Sequence, residues 1–381
     1  MKKAAYVVGA KLCPLFLEYE ELIPEPPNKI LIVKTHAIGD VLMVTPAIHA
    51  VRQKYPKAHL AMLVGEWSSQ LLENNPDIDE LIVFDDSILF RPKPIEILKL
   101  VRSLRSKEFD MALSFHSSSR MHLLVAFAGA PVRIGLDHHG SGFPLTHTAT
   151  WQPCSNRYVA ENYLDLPNIL SCEPQKAKPL ITCSEEDHEM ASRFLEALGA
   201  HRFDTLVAMG PGGGQNPRDC VLEKRWLPEY FAELIREVLA PQGIATLLLG
   251  SRSDRPVAQE VCVLSQGSAV FNACGALRLS EVAALIEKCS LLITNDSGLM
   301  HVAIAMDTPT VTIFGPTNPA SLLPRDPKHR YVRTSLGCSP CYSNSKFPGC
   351  GNGGRCMRYV SREAVKSALV AQLEQYLSVA K

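Results

Sequence analysis

The sequence lacks an apolar run long enough to cross a bilayer, and it has no excess of charge of either sign. Its longest early apolar stretch, Tyr6 to Leu17, is interrupted by Lys11 and Pro14 and is shorter than the roughly 20 residues that a spanning helix needs. Acidic residues then follow, in place of a signal-peptide cleavage site. The 39 basic and 39 acidic side chains balance, so no net field attracts nucleic acid or an anionic membrane. The expected location is the cytoplasm, and any phosphate site must be local.

Most of the chain also lacks a repeat or a regular cysteine pattern. No period of 20–50 residues recurs, and eight of the 12 cysteines are scattered, as is typical of small buried side chains. The other four, Cys338-x2-Cys341-x8-Cys350-x5-Cys356, approximate the number and spacing of ligands in a structural zinc site. A redox-labile pair or free thiols fit the same spacing, and no catalytic role is assigned to the cluster.

Alternating strand and helix signals fill both halves of the chain. In the first half, apolar runs such as Ile30 to Val33 alternate with amphipathic stretches such as Val41 to Tyr55, and the alternation returns from Thr205 to Phe314. Continuous apolar runs are typical of parallel strands covered on both faces. The sequence therefore predicts an α/β fold with two doubly wound, Rossmann-like domains.

The expected organisation is an extension, two domains and a final helix. With 46% apolar and 20% charged residues, the chain can bury two cores. Residues 1–28 form the extension, for which a peripheral membrane contact is a hypothesis. Residues 29–190 form the first domain and residues 191–360 the second, and the helix within 361–381 is expected to pack on the first domain. Residues 134–183 are interpreted mainly as loops with one helical patch.

The strongest functional signal is Asn295-Asp296-Ser297-Gly298, which follows an apolar strand and precedes an Ala-rich helix. Asp296 or Ser297 can cap that helix, and Gly298 allows close approach of a ligand to the backbone. The free N–H groups of the first turn can bind a phosphate oxyanion, and His301 lies one turn further on the same face. A capped helix with a buried histidine fits the same residues, so both interpretations stay open.

A second signal is a glycine run that follows another apolar strand. Gly212 and Gly213 lie in the run from Gly210 to Gly214, and the basic pair Lys224-Arg225 comes soon after it. Glycines permit a nest of backbone N–H groups around phosphate, and the basic pair supplies charge. A glycine run by itself is equally typical of a flexible loop.

A third signal lies at the first turn of the first domain. Ile38-Gly39-Asp40 follows the opening strand, and Thr45-Pro46 comes five residues after the aspartate. In a doubly wound domain this turn points into the ligand crevice. Asp40 fits a carboxylate that stabilises a helix start, and it equally fits a base that accepts a proton.

Together these motifs resemble the heptosyltransferase-like glycosyltransferase family 9. The resemblance rests on Ile-Gly-Asp with Thr-Pro, on Lys-Arg-Trp with a following Pro, on Asn-Asp-Ser-Gly-x-x-His and on Phe-Gly-Pro-Thr-Asn-Pro. These four occur in the family's order and context over about Lys29 to Met357. The resemblance implies a GT-B fold with two domains facing a central cleft. It also implies an inverting transferase that requires no metal or other cofactor and uses an ADP-heptose donor. The implied acceptor is a lipopolysaccharide core or another surface glycan.

The resemblance further implies roles for individual residues. Asp40 matches the general base, and Lys224 matches a basic residue that stabilises the leaving diphosphate. Asp296 matches a ligand of the donor sugar, and Asp254 a ligand of the ribose. The implied donor-binding residues, together with Lys224, are Gly212, Gly213, Asp254, Asp296, Ser297, Gly298 and His301.

The acceptor side is less defined by sequence. His116, Ser117 and Arg120 follow a first-domain strand and are candidate acceptor ligands, although solvated loop residues fit the same positions. The only Asp-x-Asp, at residues 77–79, lies in a polar turn away from the predicted phosphate sites, which agrees with a reaction that requires no metal.

Two other classes of function stay open on sequence alone. A non-catalytic protein that binds nucleotide sugars would keep the cleft without the chemistry, although Asp40 argues against it. A NAD-dependent oxidoreductase also has doubly wound domains, but no Gly-x-Gly-x-x-Gly follows either opening strand. The transferase is the leading hypothesis.

Overall fold

The computed structural model describes residues 26–85, 87–90, 93–152, 156–173, 175–215, 220–342 and 347–377. They divide into two compact units. Of the described residues, the first unit contains those up to 152 and those from 159 to 177, and the second contains those from 156 to 158 and those from 178 onward. The boundary at residues 177 and 178 lies before the predicted one at residue 190, because the helix Glu185–Leu198 belongs wholly to the second unit. The predicted N-terminal extension and its proposed membrane contact lie almost entirely outside the described residues.

The first unit is built on a parallel six-stranded sheet. Its strands are Lys29–Val33 (β1), His59–Gly65 (β2), Glu80–Phe84 (β3), Met111–Ser114 (β4), Val132–Asp137 (β5) and His147–Thr150 (β6). They lie in the order β3-β2-β1-β4-β5-β6, and every neighbouring pair is parallel. The four apolar residues of β1 are all buried, as expected where helices cover both faces of a sheet.

Seven helices of the first unit accompany this sheet in the described residues. They are Ile38–Lys54 (α1), Glu66–Ser69 (α2), Ser87–Phe90 (α3), Pro94–Arg105 (α4), Ser119–Ala128 (α5), Val159–Tyr163 (α6) and Asp165–Ile169 (α7). Helices α6 and α7 occupy the predicted helical patch. The prediction of loops for residues 134–183 is wrong where β5 and β6 lie. The edge strand β6 buries its residues only in part and is polar, so it carries little apolar signal.

The second unit repeats the same strand order. Its strands are Leu206–Gly210 (β7), Ala245–Leu248 (β8), Val270–Asn272 (β9), Leu291–Asn295 (β10), Thr310–Phe314 (β11) and His329–Arg333 (β12). The order is β12-β11-β10-β7-β8-β9, again with all neighbours parallel. Two six-stranded doubly wound sheets therefore confirm the predicted α/β class.

The helices of the second unit begin with a well-capped one. They are Glu185–Leu198 (α8), Pro228–Leu234 (α9), Arg255–Leu264 (α10), Leu279–Glu287 (α11), Gly298–Ala305 (α12), Pro319–Leu322 (α13), Arg355–Arg358 (α14) and Arg362–Leu377 (α15). Ser184 and Asp187 form a capping box at the start of α8. Short 3-10 turns occur at Ala200–Arg202, Leu222–Lys224, Ala240–Gln242 and Arg252–Asp254, and a π-helical turn at Ile235–Leu239.

Helix α15 packs on the second unit, so the prediction that it packs on the first domain is wrong. Its buried residues Val365, Leu369 and Leu373 belong to the same hydrophobic core as β10 and β11. The Gln372 side chain donates to the Lys328 carbonyl at 2.7 Å, which ties the helix to the start of β12. Among the helices of the described ranges, none is long and apolar enough to cross a membrane.

Candidate active site

The predicted site residues gather where the strand order of each sheet reverses. This reversal lies between β1 and β4 in the first unit, and between β7 and β10 in the second. Ligands of doubly wound sheets bind outside the carboxyl ends of the strands at such points. Asp40 follows β1 and His116 follows β4, whereas the glycine run follows β7 and Asp296 follows β10.

Asp40 occupies the first turn of α1 and is paired with a buried lysine. The chain enters this helix through Ala37, whose φ of 65° turns the backbone sharply after β1. The Lys34 ammonium lies 3.3 Å from Asp40 Oδ2. The Lys34 side chain is only 6% exposed, whereas that of Asp40 is 26% exposed. The carboxylate is thus the member of the pair that reaches solvent.

The side chains of the candidate acceptor residues differ in their exposure to solvent. His116 is buried, and its Nε2 accepts the Thr35 N–H at 3.1 Å, so the ring holds the loop after β1 in place. Ser117 is half-buried and Arg120 is exposed at the start of α5. Ser117 and Arg120 therefore keep side chains that a ligand can reach, whereas the buried ring of His116 already has a structural partner.

The glycine run of the second unit is bound to the loop after β10. The Asn295 side-chain amide donates to the carbonyls of Pro211 and Gly212, each at 3.0 Å, and its oxygen accepts the Trp226 N–H at 3.1 Å. Gly213 has a φ of 92°, and a Cβ there would lie 2.9 Å from the Ser297 Cβ. The run is thus a fixed loop that lies against the start of α12, and not a flexible one.

Lys224 and Asp296 form the charged centre of this unit. The Lys224 Nζ donates to Asp296 Oδ2 at 2.7 Å, and the Thr317 hydroxyl donates to the same oxygen at 2.7 Å. Burial opposes ionisation of Asp296, but Lys224, Thr317 and His301 outweigh it and lower the pKa of this carboxyl. The ammonium of Lys224 also lies 4.7 Å from the centre of the Tyr342 ring.

The start of α12 supplies backbone donors beside this pair. Ser297 is the N-cap residue, but its side chain makes no capping hydrogen bond, and Asp296 is turned toward Lys224. Side-chain capping therefore does not explain the Asp-Ser-Gly sequence. Gly298 begins the helix, and His301 is buried one turn further on. The orphan N–H groups of such a first turn favour an anion.

Asp254 has a different environment from the one expected of a ribose ligand. Its Oδ1 accepts the Gly213 N–H at 3.0 Å and Arg225 Nη2 at 2.8 Å. Its Oδ2 accepts both the backbone N–H and the hydroxyl of Ser251, at 2.9 and 2.7 Å. Four protein donors therefore occupy this buried carboxylate, which fixes the glycine loop to Arg225 and Ser251.

The cysteine cluster offers no metal geometry. Cys338, Cys341, Cys350 and Cys356 are free thiols. The Gly354 N–H donates to Cys350 Sγ at 3.2 Å, and burial raises the pKa of the Cys341 and Cys356 thiols. In the part of the chain that the structure describes, no three His, Cys, Asp or Glu side chains are arranged to hold a metal ion. The zinc interpretation gains no support.

The sequence profile of Glycosyltransferase family 9 (heptosyltransferase) matches residues 97–350. The chain belongs to this family. It is therefore a glycosyltransferase, which removes the oxidoreductase alternative. The matched region contains the glycine run, the Lys224–Asp296 pair and the start of α12, so the family assignment and the second-unit site coincide.

Relatives of known name in family 9 support this assignment. The chain is 29% identical over 335 residues to lipopolysaccharide heptosyltransferase 2 of Salmonella typhimurium, with 81% of this chain and 89% of the relative covered. It is 28% identical over 334 residues to the enzyme of the same name from Escherichia coli K12, with the same shares covered.

Solved structures of family 9 proteins agree with the fold. A family 9 glycosyltransferase from Veillonella parvula superposes with a TM-score of 0.77 at 26% identity, covering 91% of this chain and 98% of that one. The E. coli ADP-heptose lps heptosyltransferase II superposes with a TM-score of 0.71 at 25% identity, covering 91% and 99%. The two parallel sheets therefore have the GT-B fold of family 9 glycosyltransferases.

Three residues of these sites are not among the predicted ones. Thr317 is the second donor to Asp296, Asn295 holds the glycine run by two hydrogen bonds, and Tyr163 contacts the Lys34 ammonium. Thr317 and Asn295 lie inside the Phe-Gly-Pro-Thr-Asn-Pro and Asn-Asp-Ser-Gly motifs, which is a signal that could have identified them. Tyr163 lies 123 residues after Asp40 in a short helix, and no local pattern marks it.

Proposed function

We propose that this protein is an inverting, metal-independent glycosyltransferase that moves a heptose from ADP-heptose to a lipopolysaccharide core or a related surface glycan. The observation that carries the proposal is the opposite exposure of the two Lys–Asp pairs. In the first unit the carboxylate of Asp40 reaches solvent, and in the second unit the ammonium of Lys224 is the more exposed partner. An open base and an open cation are the two groups that sugar transfer from a diphosphate requires.

Asp40 is the general base in this proposal. It takes the proton of an acceptor hydroxyl as that oxygen attacks the anomeric carbon of the donor sugar. The bond from the anomeric carbon to the diphosphate oxygen breaks as the new glycosidic bond forms on the opposite face. A single in-line displacement of this kind inverts the anomeric configuration. Lys34 supports the role because its buried ammonium pairs with the carboxylate and holds it in place.

The second unit binds the departing nucleotide diphosphate. Lys224 and the backbone N–H groups at the start of α12 face developing negative charge, which fixed donors stabilise best in a site that is already organised. Gly212 and Gly213 let the backbone approach the phosphates, and Asp296 keeps Lys224 in place. These groups supply the positive charge that a metal supplies in other transferases.

The donor and the acceptor are proposed from the relatives. The Salmonella and E. coli relatives are lipopolysaccharide heptosyltransferases, and one solved relative is described as an ADP-heptose enzyme. On the acceptor side, Ser117 and Arg120 are the available side chains after β4, and Arg120 suits an anionic glycan. A cytoplasmic location is part of this proposal, and it is supported by the sequence alone.

The first experiment is donor binding in EDTA. Calorimetric titration with ADP-heptose, ADP-glucose, UDP-glucose and NAD is expected to give the tightest binding for ADP-heptose. Asp296→Ala should weaken that binding at least about tenfold, since it frees Lys224 from its fixed position. Asp254→Ala is not a suitable control because it frees the glycine loop, so Asp326→Ala, at an exposed turn, serves instead.

The second experiment is turnover with a lipopolysaccharide core acceptor and NMR of the product. The expected product carries the anomeric configuration opposite to that of the donor, and its rate is unchanged by EDTA. A retained configuration would overturn the inverting mechanism. Donor binding with no turnover on any core or glycan acceptor would favour the non-catalytic alternative, and binding of UDP-glucose alone would overturn the proposed donor.

A further inference from the structure

The Lys34–Asp40 pair has a third member that comes from a distant part of the first unit. The Lys34 Nζ donates to the Tyr163 hydroxyl at 2.8 Å and to the Phe115 carbonyl at 3.2 Å, besides pairing with Asp40. The Lys34 ammonium thus joins the Tyr163 hydroxyl to the Asp40 carboxylate at the carboxyl ends of β1 and β4.

The Tyr163 oxygen accepts a hydrogen bond from the same ammonium that pairs with Asp40, so the lysine links the phenol to the carboxylate. Burial first, and the negative charge of Asp40 second, raise the pKa of Tyr163 well above its ordinary value, so the phenol stays protonated.

The ring of Tyr163 is held on two sides. It packs edge-on against Phe115, with ring centres 5.6 Å apart, and it stacks on Trp151 at 5.7 Å. Tyr163 is the last residue of α6 and is 2% exposed. Because the aromatic contacts fix the ring, the hydroxyl meets the Lys34 ammonium from one fixed direction.

We infer that Tyr163 is a positioning residue for the reaction, which orients the Asp40 carboxylate toward the acceptor hydroxyl. Its hydroxyl holds the Lys34 ammonium, which pairs with one carboxylate oxygen of Asp40. The Asp40 side chain stays 26% exposed, so an acceptor hydroxyl can approach it. The inference rests on the proposed role of Asp40 as the base, and Tyr163 itself touches neither substrate.

The test is Tyr163→Phe, which removes the hydroxyl and keeps the ring stacking. We expect kcat to fall roughly tenfold to hundredfold, as misplacing a reacting group by a fraction of an ångström does, with the donor KM unchanged. Tyr55→Phe is the matched control. Tyr55 is also buried, and it is the C-cap residue of the same helix α1, about 22 Å from Asp40 along the helix axis. The kcat of the Tyr55→Phe variant should therefore equal that of the unaltered enzyme.

A double variant separates positioning from general damage to the fold. Because Tyr163 acts through Asp40, adding Tyr163→Phe to Asp40→Asn should leave the residual rate of Asp40→Asn unchanged. An equal loss of rate in both backgrounds, an unchanged kcat in Tyr163→Phe, or a similar loss in Tyr55→Phe would each overturn the inference.

The same set of proteins distinguishes this inference from the proposed function. If Asp40→Asn keeps full turnover, the proposed base is wrong, whatever Tyr163→Phe does. If Asp40→Asn loses turnover while Tyr163→Phe keeps it, only the role of Tyr163 fails. Thermal unfolding of each variant checks that the rates refer to folded protein.

Discussion

The two units each hold a lysine–aspartate pair beside a hydroxyl, but the pairs are built in opposite ways. In the first unit Lys34 is 6% exposed and Asp40 is 26% exposed. In the second, Lys224 is 16% exposed and Asp296 is 6% exposed. The buried member of each pair is held by several partners, and the open member is the one available to a substrate.

Under the proposed function, this reversal lets one kind of ion pair serve two purposes. The buried Lys34 leaves the more exposed carboxylate of Asp40 to act as the proposed base. The buried Asp296 leaves the more exposed ammonium of Lys224 to bind the proposed diphosphate. The hydroxyl differs as well, because that of Tyr163 accepts from the lysine in the first unit, whereas that of Thr317 donates to the carboxylate in the second.

The largest expected effect comes from neutralising each aspartate. Asp40→Asn should lower kcat by roughly a thousandfold, because the amide cannot take the acceptor's proton, with ADP-heptose affinity unchanged. Asp296→Asn should instead weaken ADP-heptose binding by about tenfold or more. Steady-state rates and calorimetry separate the two effects, and a common loss of affinity in both variants would remove the distinction between the pairs.

Removing the lysine of each pair should lower the unfolding free energy by different amounts. Lys224→Met leaves the buried Asp296 charge without its main partner, at a cost of about 3 kcal/mol in unfolding free energy. Lys34→Met should cost less, because water can reach Asp40. Urea unfolding measures both. The double variant Lys224→Met with Asp296→Asn should recover much of the loss, and failure to recover it would mean that Lys224 stabilises the unit by packing alone.

A smaller effect is expected from the hydroxyl in the second pair. Thr317→Val removes one donor to a buried charge and should lower the unfolding free energy by about 1–3 kcal/mol and weaken donor binding. Thr308→Val is the matched control, because its hydroxyl donates to the neutral Ile286 carbonyl at 3.2 Å. Its donor affinity should be unchanged, so equal affinities in the two variants would contradict the role of Thr317.

The smallest expected effect is a dependence of stability on pH in the second unit. Because the folded-state pKa of Asp296 is lowered, its ionic contacts contribute fully above the ordinary aspartate range, and this contribution is lost as the pH falls through the lowered pKa. Asp296→Asn should flatten that part of the curve. Trp226 fluorescence can report the unfolding of this unit in a protein that also carries Trp67→Phe and Trp151→Phe. If the unfolding free energy changes with pH by the same amount with and without Asp296→Asn, the prediction is contradicted.

Sequence patterns predicted those parts of the sites that depend on local order. Asp40 and Asp296 each follow an apolar strand and lie in the first turn of a helix or just before it, so turn chemistry alone placed them correctly. Tyr163 could not be found this way, because its contact with Lys34 depends on how α6 folds back over the sheet. A periodic pattern also showed that α15 has an apolar face, but not which sheet covers that face.

Helix α15 has a consequence for how the protein is made. Val365, Leu369 and Leu373 complete the core beneath β10 and β11, so this core stays open until residues beyond 373 have left the ribosome. All six strands of the first unit have emerged more than 200 residues earlier, and domains generally fold in order during synthesis. A newly made chain therefore has the strands of its first unit in place well before its second unit can complete its core.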